Sequence, residues 1–188
     1  MKGAIRTPNN QSHATINHNM GAAASTRRVA PSGNPPAPKQ AVKAVPASSV
    51  FLNGSCNPTT WRRDVAIPLL ESAGVTYYNP QVDNWTPDMI DKEARAKEQA
   101  KVHLFVIDSL TRAIASMVEA AYYSGQGRRV VLVVHMIESP EIATGEQLKD
   151  LNRGRIYLQN LVSKLPNVTL CNTIEEAVKV CIAVVKGM

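Results

Sequence analysis

The first 49 residues contain no aspartate and no glutamate. They hold Lys2, Arg6, Arg27, Arg28, Lys39 and Lys43, and so carry the whole formal net charge of +6, while the rest of the chain balances 15 basic against 15 acidic side chains. The pI near 9.4 therefore belongs to the tail and says nothing about what the remainder binds. No apolar run approaches the ~20 residues of a membrane span, and no secretory signal is recognisable. Cysteine is scarce: Cys56, Cys171 and Cys181 are scattered, odd in number and never in a C-x-x-C pair. A disulfide framework or a zinc site is not expected, and a reducing, cytoplasmic setting fits. His103 and His135 have no companion at metal-ligand spacing, so no metal and no cofactor are expected.

Composition divides the chain into a basic tail, residues 1–49, and a domain, residues 50–188. Six of the twelve prolines lie in the tail among Ala, Ser, Asn and Gly. Such a segment buries too little apolar surface to offset its ordering entropy, and disorder is expected. A basic, acid-free tail can contact acidic partners without specificity. It also suggests mitochondrial import, although Pro8 and the Asn-rich start spoil an amphipathic helix.

Within the domain, short apolar runs alternate with helical periodicity. Strands are expected at Val50–Asn53, Val75–Asn79, Val102–Ile107, Val130–His135 and Val168–Cys171. Helices are expected near Trp61–Ala73, Pro87–Ala100, Ala115–Gly125, Gly145–Leu165 and Ile174–Lys186. Thr86 and Pro87 should cap and open the second helix, and Pro68 should kink the first or delay its start. This alternation implies an α/β, doubly wound, five-stranded parallel sheet, flavodoxin-like in its order 2-1-3-4-5, with a site over strands one and three.

At that edge, Glu119 is expected in the first helical turn after the central strand, near the positive end of the helix dipole. A carboxylate held ionised there is a candidate nucleophile. Ser116-Met-Val-Glu119 is equally a capping box that serves only the helix start. Asn53, Gly54 and Ser55 end the first strand and can meet a sugar or phosphate, or simply form a βα turn. Asp108 closes the central strand and can take a ribose hydroxyl or cap its own loop. Arg62, Arg63 and Arg112 are candidate phosphate ligands, and Trp85 is a candidate base-stacking surface.

The run Glu119-Ala-Ala-Tyr-Tyr-Ser-Gly-Gln126-Gly127, followed by an apolar strand, resembles the nucleoside 2-deoxyribosyltransferase pattern. There the catalytic glutamate opens an E-L-G-Y-A-type helix. The related deoxynucleoside monophosphate N-glycosidases share that helix. Both groups carry an acidic residue eight positions before the residue that precedes the central strand, which here is Glu93, glutamate for the usual aspartate. Phe51-Leu-Asn-Gly54-Ser55 resembles the family's first strand and turn. Asn53–Asp64 with Tyr77–Trp85 is similar to a divergent, deoxyribosyltransferase-like branch.

The resemblance spans about residues 50–135, and it implies a specific chemistry. Glu119 attacks the anomeric carbon and forms a glycosyl-enzyme. Glu93, protonated and buried near Tyr78 or Trp85, meets the base, with helix dipole and burial separating the two carboxyl pKa values. The partner is a small nucleoside or nucleotide, and a homo-oligomer is expected. Arg112-Ala-Ile-Ala-Ser116 replaces the family's glycine-rich approach, and Asn57-Pro58-Thr59-Thr60 replaces a glycine-rich phosphate cradle. An arginine there suggests an anionic 5′ substituent, and so hydrolysis of a 5′-monophosphate rather than base exchange. A nucleotide-binding module without turnover, and a glycohydrolase of NAD or ADP-ribose type, remain open alternatives.

Overall fold

A computed structural model describes residues 49–188 except Asp83 and Trp85. The expectations for the tail and for Trp85 lie outside the described residues. Strands β1 (Val50–Gly54), β2 (Tyr77–Tyr78), β3 (Val102–Ile107), β4 (Val130–Val134) and β5 (Val168–Cys171) pair in parallel in the order β2-β1-β3-β4-β5. Every link between neighbouring strands therefore crosses over, and the helices α1 (Ile67–Ser72), α2 (Asp88–Gln99), α3 (Ile114–Gly125), α4 (Gly145–Val162) and α5 (Ile174–Lys186) cover both faces. Alternation within the strands decides what each face meets. Val50, Leu52, Leu104, Val106, Val131 and Val133 pack with Leu70 of α1 and Val178 of α5. Phe105, Val130 and Leu132 pack on the opposite face with Ala120 of α3 and Leu158 of α4. Phe51 meets Ala96 of α2 on that second face.

Three boundaries differ from expectation for local reasons. The first helix opens as a π-helical turn, Arg62–Ala66, and becomes α-helical only at Ile67. Pro68, which has no N–H to donate, sits at the junction where the π-helical turn passes into α1. The second strand shrinks to two residues because the Val75 amide closes a turn onto the Leu70 carbonyl (2.9 Å). The Thr86 hydroxyl donates to the Asp88 carboxylate (2.5 Å) and caps no amide of α2.

No helix among the described residues is long and apolar enough to cross a membrane. The sheet itself buries one titratable side chain completely. His103 lies within β3, stacked on Tyr123 (centroids 4.7 Å apart) and flanked by Phe51 and Phe105. Burial pushes its imidazole down to about 4, with the charges of Arg128 and Lys97 adding to the effect.

A base whose folded pKa lies below its unfolded value stabilises the fold fully above the unfolded value near 6.5, and that stability fades as pH falls toward about 4. The stability lost between neutral pH and pH 4 is about 3 kcal/mol. Tm measured between pH 7 and pH 4 is expected to drop less in His103→Gln than in the wild type; parallel curves would contradict this.

Candidate active site

The carboxyl ends of β1 and β3 lie side by side, with Gly54 opposite Val106. Gly54 has φ +117°, and a Cβ there would stand 2.2 Å from the Val106 carbonyl oxygen. Only glycine allows this approach. It lets the Ser55 amide donate to the same carbonyl (2.8 Å). The Ser55 hydroxyl accepts from the Asp108 amide (2.9 Å) and lies 2.6 Å from the Thr111 hydroxyl, so buried Ser55 ties the two strand-end loops together.

Two buried arginines hold those loops from outside. Arg62, 1% exposed, donates to the carbonyls of Leu52, Gly54 and Ser55 at 2.7–3.2 Å. Burial lowers its pKa from the ordinary arginine value, opposed by the neighbouring Cys56 and Glu93. Arg155, fully buried in α4, donates to the carbonyls of Asp108, Thr111, Arg112 and His135 at 2.6–3.3 Å. These bonds fix the loop from which α3 departs, and Ala113 takes the left-handed conformation (φ 51°) at the junction.

Between the loops lies a cleft of about 260 Å³ whose walls include Asn53, Gly54, Glu93, Lys97, Ser116 and Glu119. Asn53 is 2% exposed. Its Nδ2 donates to the Phe51 carbonyl (3.1 Å), while its Oδ1 has no hydrogen-bond partner. Such a buried, unsatisfied acceptor is costly unless something meets it. A second, polar cavity of about 450 Å³, lined by Asn57, Thr60, Arg63, Asn79 and Gln81 among others, shares Arg62 with the cleft.

Lys97 organises the acidic groups. It stands one helical turn after Glu93 on α2, and its Nζ is 2.7 Å from Glu93 Oε1 and 2.7 Å from Glu119 Oε1 across the cleft on α3. Burial pulls its pKa down, but the hydrogen bonds and charges of Glu119 and Glu93 outweigh this and leave the pKa above the ordinary lysine value. Nζ also lies 5.3 Å from the Phe51 ring centroid.

Several expectations are corrected by this arrangement. The helix begins at Ile114 with no side-chain cap, so Ser116 and Glu119 form no capping box, and Glu119 lies in the second turn, beyond the first-turn reach of the dipole. Its carboxylate is anchored by Lys97 instead. Glu93 is not fully buried: its side chain is 33% exposed and ion-paired to Lys97. Arg112 does not line the cleft; it is exposed and donates to the Ile142 carbonyl and Gln147 Oε1, both at 3.4 Å. Asp108 caps its own loop by accepting from the Leu110 amide (2.8 Å). Ser55 serves the loops and is not part of the cleft wall. Lys97 and Arg155 were not among the residues expected from the sequence. The Glu93–Lys97 spacing of four residues signalled the first, and nothing in the sequence signalled the second. Among the described residues no cluster of His, Cys, Asp and Glu could hold a metal ion.

Residues 47–137, which contain β1 through β4 and every residue of the cleft, match the family model described as nucleoside 2-deoxyribosyltransferase like. Over that segment the chain is similar to this family. No curated protein matches it.

Gly54→Ala is expected to cost at least ~2 kcal/mol, since the added Cβ collides with backbone and the positive φ is strained for alanine. That lowers Tm by several degrees. An unchanged melting temperature would show that β1 and β3 separate easily.

Proposed function

We propose that this protein, similar to the nucleoside 2-deoxyribosyltransferase-like family, cleaves or transfers the N-glycosidic bond of a (deoxy)nucleoside or its 5′-monophosphate through Glu119. The observation that carries this reading is the pairing of Glu93 and Glu119 through one ammonium at the carboxyl edge of β1 and β3. Open α/β sheets bind their ligands at that edge.

The pairing also bears on the route. Two oxygens each 2.7 Å from a single nitrogen bring the carboxylates close to one another, as a retaining route needs. A short gap favours attack by a carboxylate. Glu119 forms a bond to the anomeric carbon, and the C1′–N bond breaks with its electron pair leaving on the base nitrogen. Glu93, beside the base, delivers a proton to that nitrogen after taking one from solvent. Water or a second base then attacks C1′, returns a proton to the site and frees Glu119. The second cavity, rich in carboxamides and hydroxyls, gives the remainder of a nucleoside a polar place to lie.

Arg112, with the nearby arginines, was the reason to favour a 5′-monophosphate and hydrolysis. The Arg112 guanidinium is turned to Ile142 and Gln147 and supports neither, while Arg63, on the wall of the second cavity, is the nearby arginine placed to meet a 5′ anion. Chromatographic assay of free base over deoxynucleosides, their monophosphates, ribonucleotides and NAD separates the substrate classes, and adding a second free base separates exchange from hydrolysis.

Glu119→Ala is expected to reduce base release by at least ~10³-fold, as loss of a covalent nucleophile does. Its melting temperature should change by only a few degrees, because a half-exposed ion pair contributes ~1 kcal/mol or less. Wild-type turnover in this variant would end the assignment.

A further inference from the structure

Lys97 has a charge that the proposed reaction does not use. Its side chain is 9% exposed, so the ammonium is held in place by the cleft wall and is not a mobile surface charge. It comes from α2, yet one of its two carboxylate partners lies on α3, so its bonds cross the cleft. The other groups that face it leave its charge in place. His103 is neutral above about pH 4. Burial raises Tyr78 and Tyr123 above the ordinary phenol value, so both stay uncharged. Arg62 also reaches Glu93 with its charge, but its N–H groups are directed at backbone carbonyls and at Gln81.

Once Glu93 has given its proton to the base, two carboxylates and one ammonium leave the cluster with one net negative charge, the sign that steadies a cationic sugar. Without the ammonium, carboxylates so close together would repel and hold a proton between them. The bond to Oε1 also fixes the rotation of the Glu119 carboxylate and leaves Oε2 as the oxygen that attacks.

Resting on the proposed function, we propose that Lys97 is a positioning residue that binds Glu93 and Glu119 into one unit, aims Glu119 Oε2 at the anomeric carbon and sets the pH window in which the pair works. An ammonium at hydrogen-bond distance favours the charged form of each carboxylate it touches. Its removal therefore moves both limbs of the pH–rate profile in the same direction, upward.

The test compares wild type, Lys97→Met and Lys97→Arg. Lys97→Met is expected to lower kcat roughly 10²-fold at neutral pH, the scale of a misplaced reacting group, and to shift both limbs to higher pH. Lys97→Arg keeps the cation, and its limbs should stay where the wild type has them even if its rate falls. Should Lys97→Met fail to fold, Lys97→Gln retains a polar stem and serves in its place. A lower rate with unmoved limbs would overturn the proposal, because loss of packing alone changes amplitude and not pH dependence. A wild type that releases no base from any nucleoside would defeat the proposed function, and Lys97 can still be judged separately. Carbon NMR of protein labelled at the glutamate carboxyl carbon should show two titrations moving upward in Lys97→Met, and unchanged titrations would overturn the coupling.

Discussion

The contact between Gly54 and Val106 is the constraint on which the rest depends. Order 2-1-3-4-5 sets β1 against β3, and the segments after them depart to opposite faces of the sheet. A crevice must open at such a point. What makes it a defined cleft is the absence of any side chain at residue 54, where the Val106 carbonyl occupies the space a Cβ would need. With the strand ends that close, Ser55 can bond both to the backbone after β3 and to Thr111. The base of the cleft is then rigid on both sides.

Onto that base the protein adds charge in two different ways. Arg62 and Arg155 are buried and have their donors on backbone carbonyls. Carbonyls at the ends of strands have no ladder partners, and each arginine satisfies several at once. These cations therefore shape loops. Lys97 is the contrasting case, a compact ammonium directed at two carboxylates inside the cleft. Its pKa, held above the ordinary lysine value by those partners against the pull of burial, keeps it charged across the range in which glutamates titrate. The acidic chemistry of the site thus belongs to a three-residue cluster and not to two independent carboxyl groups.

How much of this the sequence revealed depends on whether the signal was local. Strand positions were legible because Val102–Ile107, broken only by His103, and Val130–Val134 are apolar runs, as strands covered on both faces must be. The second strand was overestimated because an apolar residue, Val75, was drawn into a turn by a backbone bond to Leu70. Asn53, Gly54, Ser116 and Glu119 were legible as candidates from their places at a strand end and a helix start, and Glu93 from its register in the family resemblance; the fold gathers all five in one cleft. The capping box was misjudged because Ser116-x-x-Glu119 reads as a cap locally. The helix begins at Ile114, within one residue of the expected Ala115, which puts Glu119 in its second turn. Arg112 failed because its partners, Ile142 and Gln147, lie 30 and 35 residues away, and no local pattern reports them. Lys97 stands in a dense charged run, where its spacing of four residues from Glu93 was a local signal and its partner on α3 left none.

The central claim is that Glu119 bonds to the sugar. Incubation with a 2′-fluoro-2′-deoxynucleoside, whose fluorine slows breakdown of a glycosyl-enzyme, followed by mass spectrometry of the intact and digested protein, tests it most directly. The account predicts one added fluorinated sugar on the peptide that contains Glu119, and none on Glu119→Gln. A label on another residue, or unlabelled protein that turns over natural substrate with inversion at C1′, would contradict it.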